Sequence, residues 1–115
     1  MKKYYTLLDA VEMNIRHPDT FLIPGEDAIN AIKPGDFVRL GFVPTAAARV
    51  MGAEMVERMW VEVSETDSAR GESSPIFLAG RIRNAPFVFR EILSFDDSVA
   101  FAAWNIMSIE PRGAL

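Results

Sequence analysis

The groups in this chain able to move a proton or hold a cation are the carboxylates, among them Asp36, Glu57, Glu62, Glu91, Asp96 and Asp97, and one imidazole, His17. Two carboxylates run acid–base hydrolysis when their surroundings push their pKa values apart. No spacing here fixes such a pair. Asp36 closes the turn Lys33-Pro34-Gly35-Asp36, and Asp96-Asp97 leads into a strand from another turn. The alternating acidic loop of a calcium-binding hand is missing from the sequence, so no metal ligands are assigned. His17 directly precedes Pro18. At a helix end an imidazole serves terminal carbonyls, and one His cannot build a His-based metal site. Ser64, Ser68, Ser73, Ser74, Ser94, Ser98 and Ser108 lie outside any Gly-x-Ser-x-Gly turn, and no glycine-rich phosphate loop occurs. A triad or a nucleotide site therefore has no support in the sequence. Ser73-Ser74-Pro75 offers a phosphorylation site, or simply keeps a loop soluble. No catalytic residue and no cofactor is expected.

A different chemistry, that of contact surfaces, is written in Glu57-Arg58-Met59-Trp60-Val61-Glu62-Val63. With a period of two, Met59, Val61 and Val63 face one way and Arg58, Trp60 and Glu62 the other. A Trp flanked by Arg resembles the anchors of protein interfaces. Arg81 and Arg83 join this patch if their strand pairs with residues 58–64 as a hairpin. The competing reading makes Trp60 core beneath the N-terminal helix, with Arg58 and Glu62 as an ion pair worth under about 1 kcal/mol. Trp104, beside Asn105, reads as a plug at a barrel corner.

Composition narrows the classes. The chain has 115 residues, half of them apolar, which suits one domain with its own core. It is therefore not a disordered chain. Its formal charge is −4, with no basic stripe longer than Lys2-Lys3. Duplex binding needs clustered cations, so nucleic acid is not the expected partner. There is no Cys; disulfide scaffolds, thiolate metal sites and thiol nucleophiles are excluded, and a reducing compartment is suited. Asp9 and Glu12 interrupt the apolar run after Met1-Lys2-Lys3, so neither a signal peptide nor a membrane span is expected. The expectation is a soluble, cytoplasmic protein.

These side chains must be held by short, turn-punctuated elements. Tyr4, Leu7, Leu8, Val11 and Ile15 recur at helical spacing and predict a helix over about 4–16, ended by His17-Pro18. Ala28, Ile29 and Ile32 suggest a second, short helix after Pro24-Gly25. Pro34 and Gly35 set a turn before a strand over 37–43, with Val38, Leu40 and Phe42 on one face and Phe37, Arg39 and Val43 on the other. Residues 45–56 read as a helical turn or two capped by Thr45, or as an irregular excursion. Strands follow over 58–64 and 76–82, joined by a polar loop, with Gly80 marking a bend or a close backbone approach. Phe87-Val88-Phe89 reads as extended, and 99–101 and 106–109 as the last strands.

Four blocks, Lys33 to Leu40, Glu57 to Val63, Gly80 to Pro86 and Asp97 to Phe101 leading to Ile106, resemble in order and spacing the YegJ-like family of small bacterial proteins, a domain of unknown function. The resemblance spans about residues 20–110 and implies a fold but no reaction. The chain departs from the family pattern at Asp96-Asp97, where a second Gly-Asp is usual, and at Asn105, where a His is usual; residues 43–56 look inserted.

The expected fold is α+β: a single domain over 1–115, with an N-terminal helix and a small, bent antiparallel sheet over about 37–110 curled into an SH3-like partial barrel. The expected function is a non-catalytic binding or accessory module contacting an unknown protein partner. An immunity-type role is one version, and self-association through a sheet edge is a further possibility. The alternative is a small hydrolase or ligand-binding protein using Asp36, Glu57 and Asp97.

Overall fold

Chain direction reverses at turns whose residues can be read directly. Gly35 adopts φ +99°, a conformation glycine enters without Cβ strain. Asp36 Oδ2 accepts the Lys33 N–H at 3.0 Å, which closes the Lys33–Asp36 turn as expected. The computed structural model describes residues 3–67 and 77–112. Most of the predicted polar loop, with Ser73-Ser74-Pro75 and Ile76, lies outside the described residues.

The elements in order are β1 (Tyr5–Leu7), α1 (Ala10–Arg16), α2 (Glu26–Asn30), β2 (Phe37–Pro44), α3 (Ala46–Val50), β3 (Glu57–Thr66), β4 (Phe77–Ile82), β5 (Ser98–Ala102) and β6 (Ser108–Glu110). A single 3₁₀ turn, Ala103–Asn105, joins β5 to β6. Strands β2 to β5 form an antiparallel meander. β6 returns to β2 at Phe37 to Arg39, while β1 pairs with β2 at Phe42 to Pro44. Two short strands thus share one edge of β2, and the sheet curls into a nearly closed antiparallel barrel with a few short helices.

Period two decides what is inside. Val38, Leu40, Phe42, Met59, Val61, Val63, Leu78, Ile82, Val99 and Phe101 are buried in one cluster with Ile106 and Phe89. Strands β2 to β5 send alternate apolar side chains inward, as the sequence pattern requires. Gly80 sits among them because nothing larger fits: a Cβ there would lie 2.4 Å from the Glu62 carbonyl oxygen and 2.6 Å from Val61 Cγ1. The β3–β4 register shifts just beyond, between Val63 and Glu65, and that bulge helps the sheet bend.

The N-terminal segment departs from the helical reading of residues 4–16. Tyr5–Leu7 is a strand, and the helix begins only at Ala10. The Tyr4 carbonyl accepts from Thr45 N–H at 3.2 Å, and Leu8 N–H donates to Gly41 at 2.8 Å. Asp9 then caps the helix through Oδ1, which accepts from Glu12 N–H at 3.0 Å. The Tyr5 ring lies 4.9 Å from Phe42 and 6.4 Å from Phe89; an aromatic contact fixes the strand against helical spacing. Ile15, assigned to the helical stripe, is 69% exposed.

Three smaller readings change as well. Residues 87–92 form a bend and turns, not an extended strand, and wrap the buried Phe89. The last strand is Ser108–Glu110, with Ile106 buried ahead of it. Trp104 is no plug: it is exposed and packs edge-on against Phe77 at 6.0 Å. Thr45 does cap α3, its hydroxyl accepting from Ala48 N–H.

Candidate binding surface

The outward face of the meander gathers most of the residues singled out from the sequence. β3 and β4 pair as a hairpin with Glu62 opposite Arg81, and Arg39 on β2 lies opposite Trp60. Arg83 follows β4; its backbone N–H donates to the Trp60 carbonyl at 2.9 Å. The Arg83 Nε donates to Glu62 Oε1 at 2.9 Å, while its Nη1 donates to Asp96. Arg81 Nη1 stands 3.8 Å from Asp96. The guanidinium of Arg83 also lies over the ring of Phe95, 5.3 Å from its centroid.

This is a surface ion network. The hydrogen bond from Arg83, joined by the charges of Arg83 and Arg81, holds the Asp96 carboxyl below its ordinary pKa, and the bonds to Asp96 and Glu62 raise that of Arg83. Asp96 sits at φ +77°, where few residues other than Gly, Asn and Asp settle. Glu62 therefore finds its cation in Arg83 after β4, not in Arg58 of its own strand as the core reading supposed.

Trp60 is half-buried. Arg39 covers its ring with the guanidinium carbon 5.1 Å from the centroid, a cation–π arrangement. The Trp60 backbone N–H donates to Asn84 Oδ1. Arg58 stands apart from the ion network. It is exposed, opposite Gly41, and faces the chain that follows α1. Of the five residues singled out, the structure joins Glu62, Arg81 and Arg83, holds Trp60 beside them and leaves Arg58 at the mouth of another recess.

Two adjoining hollows flank Arg58, and no motif in the sequence marks them. One, of about 220 Å³, is lined by Thr20, Phe21, Leu22, Arg39, Arg58 and Ser108 together with Met107. The other, of about 570 Å³, is largely apolar, with Leu8, Met13, Phe21, Val56, Phe87 and Val88 beside Glu57 and Arg58. Phe21 and Arg58 line both hollows, which lie side by side and together make up the groove. Phe87 is 72% and Val56 45% exposed at its edge. Arg90 reaches back over the Phe87 ring at 5.3 Å and donates to the Phe87 carbonyl at 2.8 Å. Phe37, Arg39 and Val43 were legible as the outward face of β2; the missing signal was register, which sets Arg39 against Trp60.

The carboxylates are employed locally. Glu57 accepts from the backbone N–H groups of Phe87 and Phe89 at 2.7 and 3.0 Å. Asp36 Oδ1 accepts from Arg112 N–H at 3.1 Å in addition to its own turn, and Asp97 accepts from Ser94 N–H at 2.8 Å. His17 ends α1 and is exposed. Among the described residues, no three His, Asp or Glu side chains converge as metal ligands, and no helix is long and apolar enough to cross a membrane. Comparison of the chain with protein-family models, with curated proteins and with solved structures gives no match.

Proposed function

We infer that this chain is a non-catalytic module that binds another protein, built on an SH3-like small barrel and working in the cytoplasm. The meander of β2 to β5, the 3₁₀ turn and the return of β6 to β2 support the SH3-like reading. The observation that carries the function is the apolar hollow of about 570 Å³ in the groove, with exposed Phe87 and Val56 at its rim. Exposed apolar side chains gathered beside a cation are the composition of a contact surface. The hydrolase alternative asks for two carboxylates freed into a common pocket. Asp36, Glu57 and Asp97 instead each accept backbone N–H groups on separate turns, which favours the binding reading.

The YegJ-like resemblance remains a proposal resting on its four sequence blocks. A neutralising, immunity-type role would present acids to a basic partner. The groove presents Arg39 and Arg58, so the plainer binding role is preferred.

The test is affinity capture from the native cell with wild type, Phe87→Ser and, as control, Phe77→Ser. A partner lost with Phe87→Ser alone, at unchanged melting temperature, supports the groove. Equal recovery with all three removes it. Light scattering separates self-association, which would give a dimer in the purified chain.

A further inference from the structure

We propose that the groove takes an acidic, amphipathic segment of a partner protein, with a carboxylate seated between Arg39 and Arg58 and an apolar side chain laid against Phe21, Val56 and Phe87. This rests on the binding reading above and specifies the partner's chemistry.

Three observations support it. First, Arg39 is half-buried, lines the recess, and its guanidinium makes no hydrogen bond among the described residues. A guanidinium without an acceptor is best paired by a carboxylate. Second, Arg39 is held in place. Trp60 supports its guanidinium from one side, and Met107 N–H donates to its backbone carbonyl at 2.9 Å. Arg58 lines the same recess, with the hydroxyl-bearing Thr20 and Ser108, and neither arginine forms an ion pair among the described residues. Third, charge is distributed unevenly. The chain as a whole carries −4, yet Arg39 and Arg58 line the groove, and Arg90 lies over the Phe87 ring. The acid in the apolar hollow is Glu57, whose oxygens accept the Phe87 and Phe89 N–H groups.

The chemistry is a division of labour. The Arg39–Arg58 recess takes charge and fixes direction, and the apolar hollow beyond Phe21 supplies area. A basic or a purely apolar segment would leave both arginines unpaired. Aromatic or aliphatic residues alternating with Asp or Glu satisfy both halves.

The experiment titrates the purified chain, followed by amide chemical shifts, with four probes. They are short synthetic peptides alternating Phe or Leu with Asp and Glu, the same peptides with Lys in place of the acids, uncharged peptides with Ser in those places, and an oligothymidylate. The acidic peptides are expected to bind saturably, to shift Phe21, Arg39, Arg58 and Phe87, and to weaken with added salt. Arg58→Glu should weaken them by about tenfold or more, the loss of at least one charge-assisted hydrogen bond, while circular dichroism stays unchanged. Arg39→Lys, which keeps the charge and removes the forked donors, should weaken them as well. Preference for the Lys peptides or the oligothymidylate overturns the proposal. So does acidic-peptide affinity untouched by both substitutions. If the Ser peptides bind equally well and Phe87→Ser abolishes that binding, the acidic specificity fails while the binding module stands. If no peptide shifts the groove and Phe87→Ser loses no captured partner, both readings fail.

Discussion

Arg39 lies over the face of Trp60 across the β2–β3 pair, its guanidinium carbon 5.1 Å from the ring centroid. That contact resolves the ambiguity of a Trp set between Arg58 and Glu62. The ring is neither sealed core nor free anchor: it supports an arginine that lines the neighbouring recess. Trp60→Ala should remove a cation–π contact worth about 0.5–2 kcal/mol together with the packing of the ring. Trp60→Phe should retain much of both. Denaturant midpoints would rank them wild type, Phe, Ala, and the Ala variant should also release Arg39 and weaken groove binding. A lowered midpoint with unaltered binding would reduce Trp60 to a purely structural role.

Gly80 meets backbone, so its replacement has no flexible neighbour to push aside. The Cβ of Gly80→Ala would stand 2.4 Å from the Glu62 carbonyl. Overpacking of this kind costs about 1–3 kcal/mol or more. Gly25 has no atom within 4 Å of its Cβ position, and Gly25→Ala should stay within about 1 kcal/mol of wild type. Urea unfolding of the two variants makes the comparison.

Glu57 ties the 87–92 turns to the start of β3 through two backbone N–H groups. Glu57→Ala leaves those donors without their carboxylate and should cost about 1–3 kcal/mol. Glu57→Gln keeps an acceptor oxygen and should cost less. Hydrogen exchange at Phe87 and Phe89 should accelerate in the Ala variant well before the core strands respond.

Acid and alkali should weaken the fold through different residues. Asp96 has its pKa lowered first by the Arg83 hydrogen bond. Its contribution is therefore present above the ordinary carboxylate pKa of 3.8 and is lost as pH falls through the lower folded value. Asp96→Asn should flatten the acid limb of the stability profile and leave neutral stability little changed, since the pair is exposed. The Tyr5 phenol is raised, first by burial and then by the charge of Asp97. Its contribution is complete below the ordinary value of 10.0 and disappears as pH climbs through the higher folded one. Tyr5→Phe should flatten the alkaline limb. Melting temperature against pH for both variants reads the two windows.

Local chemistry made much of this architecture legible. The inward set Met59, Val61 and Val63, the Gly35–Asp36 turn, the Thr45 cap and the close approach at Gly80 each follow from a few adjacent residues. The N-terminal strand was not legible, because Tyr4 to Leu8 satisfies helical spacing until Gly41 and Thr45 take its backbone bonds. The groove was hidden for the same reason. Phe21, Arg39, Arg58, Phe87 and Ser108 are far apart in sequence; the register of β2 on β3 and β6 brings Arg39, Arg58 and Ser108 together, and the segments after α1 and β4 fold back to add Phe21 and Phe87.

The most direct test places a photo-crosslinking side chain at position 87 in the native cell, with position 77 as control. A discrete protein adduct is expected at 87, absent at 77 and lost when Arg58→Glu is added. Adducts at neither position, or equal ones at both, would contradict a binding face at this groove.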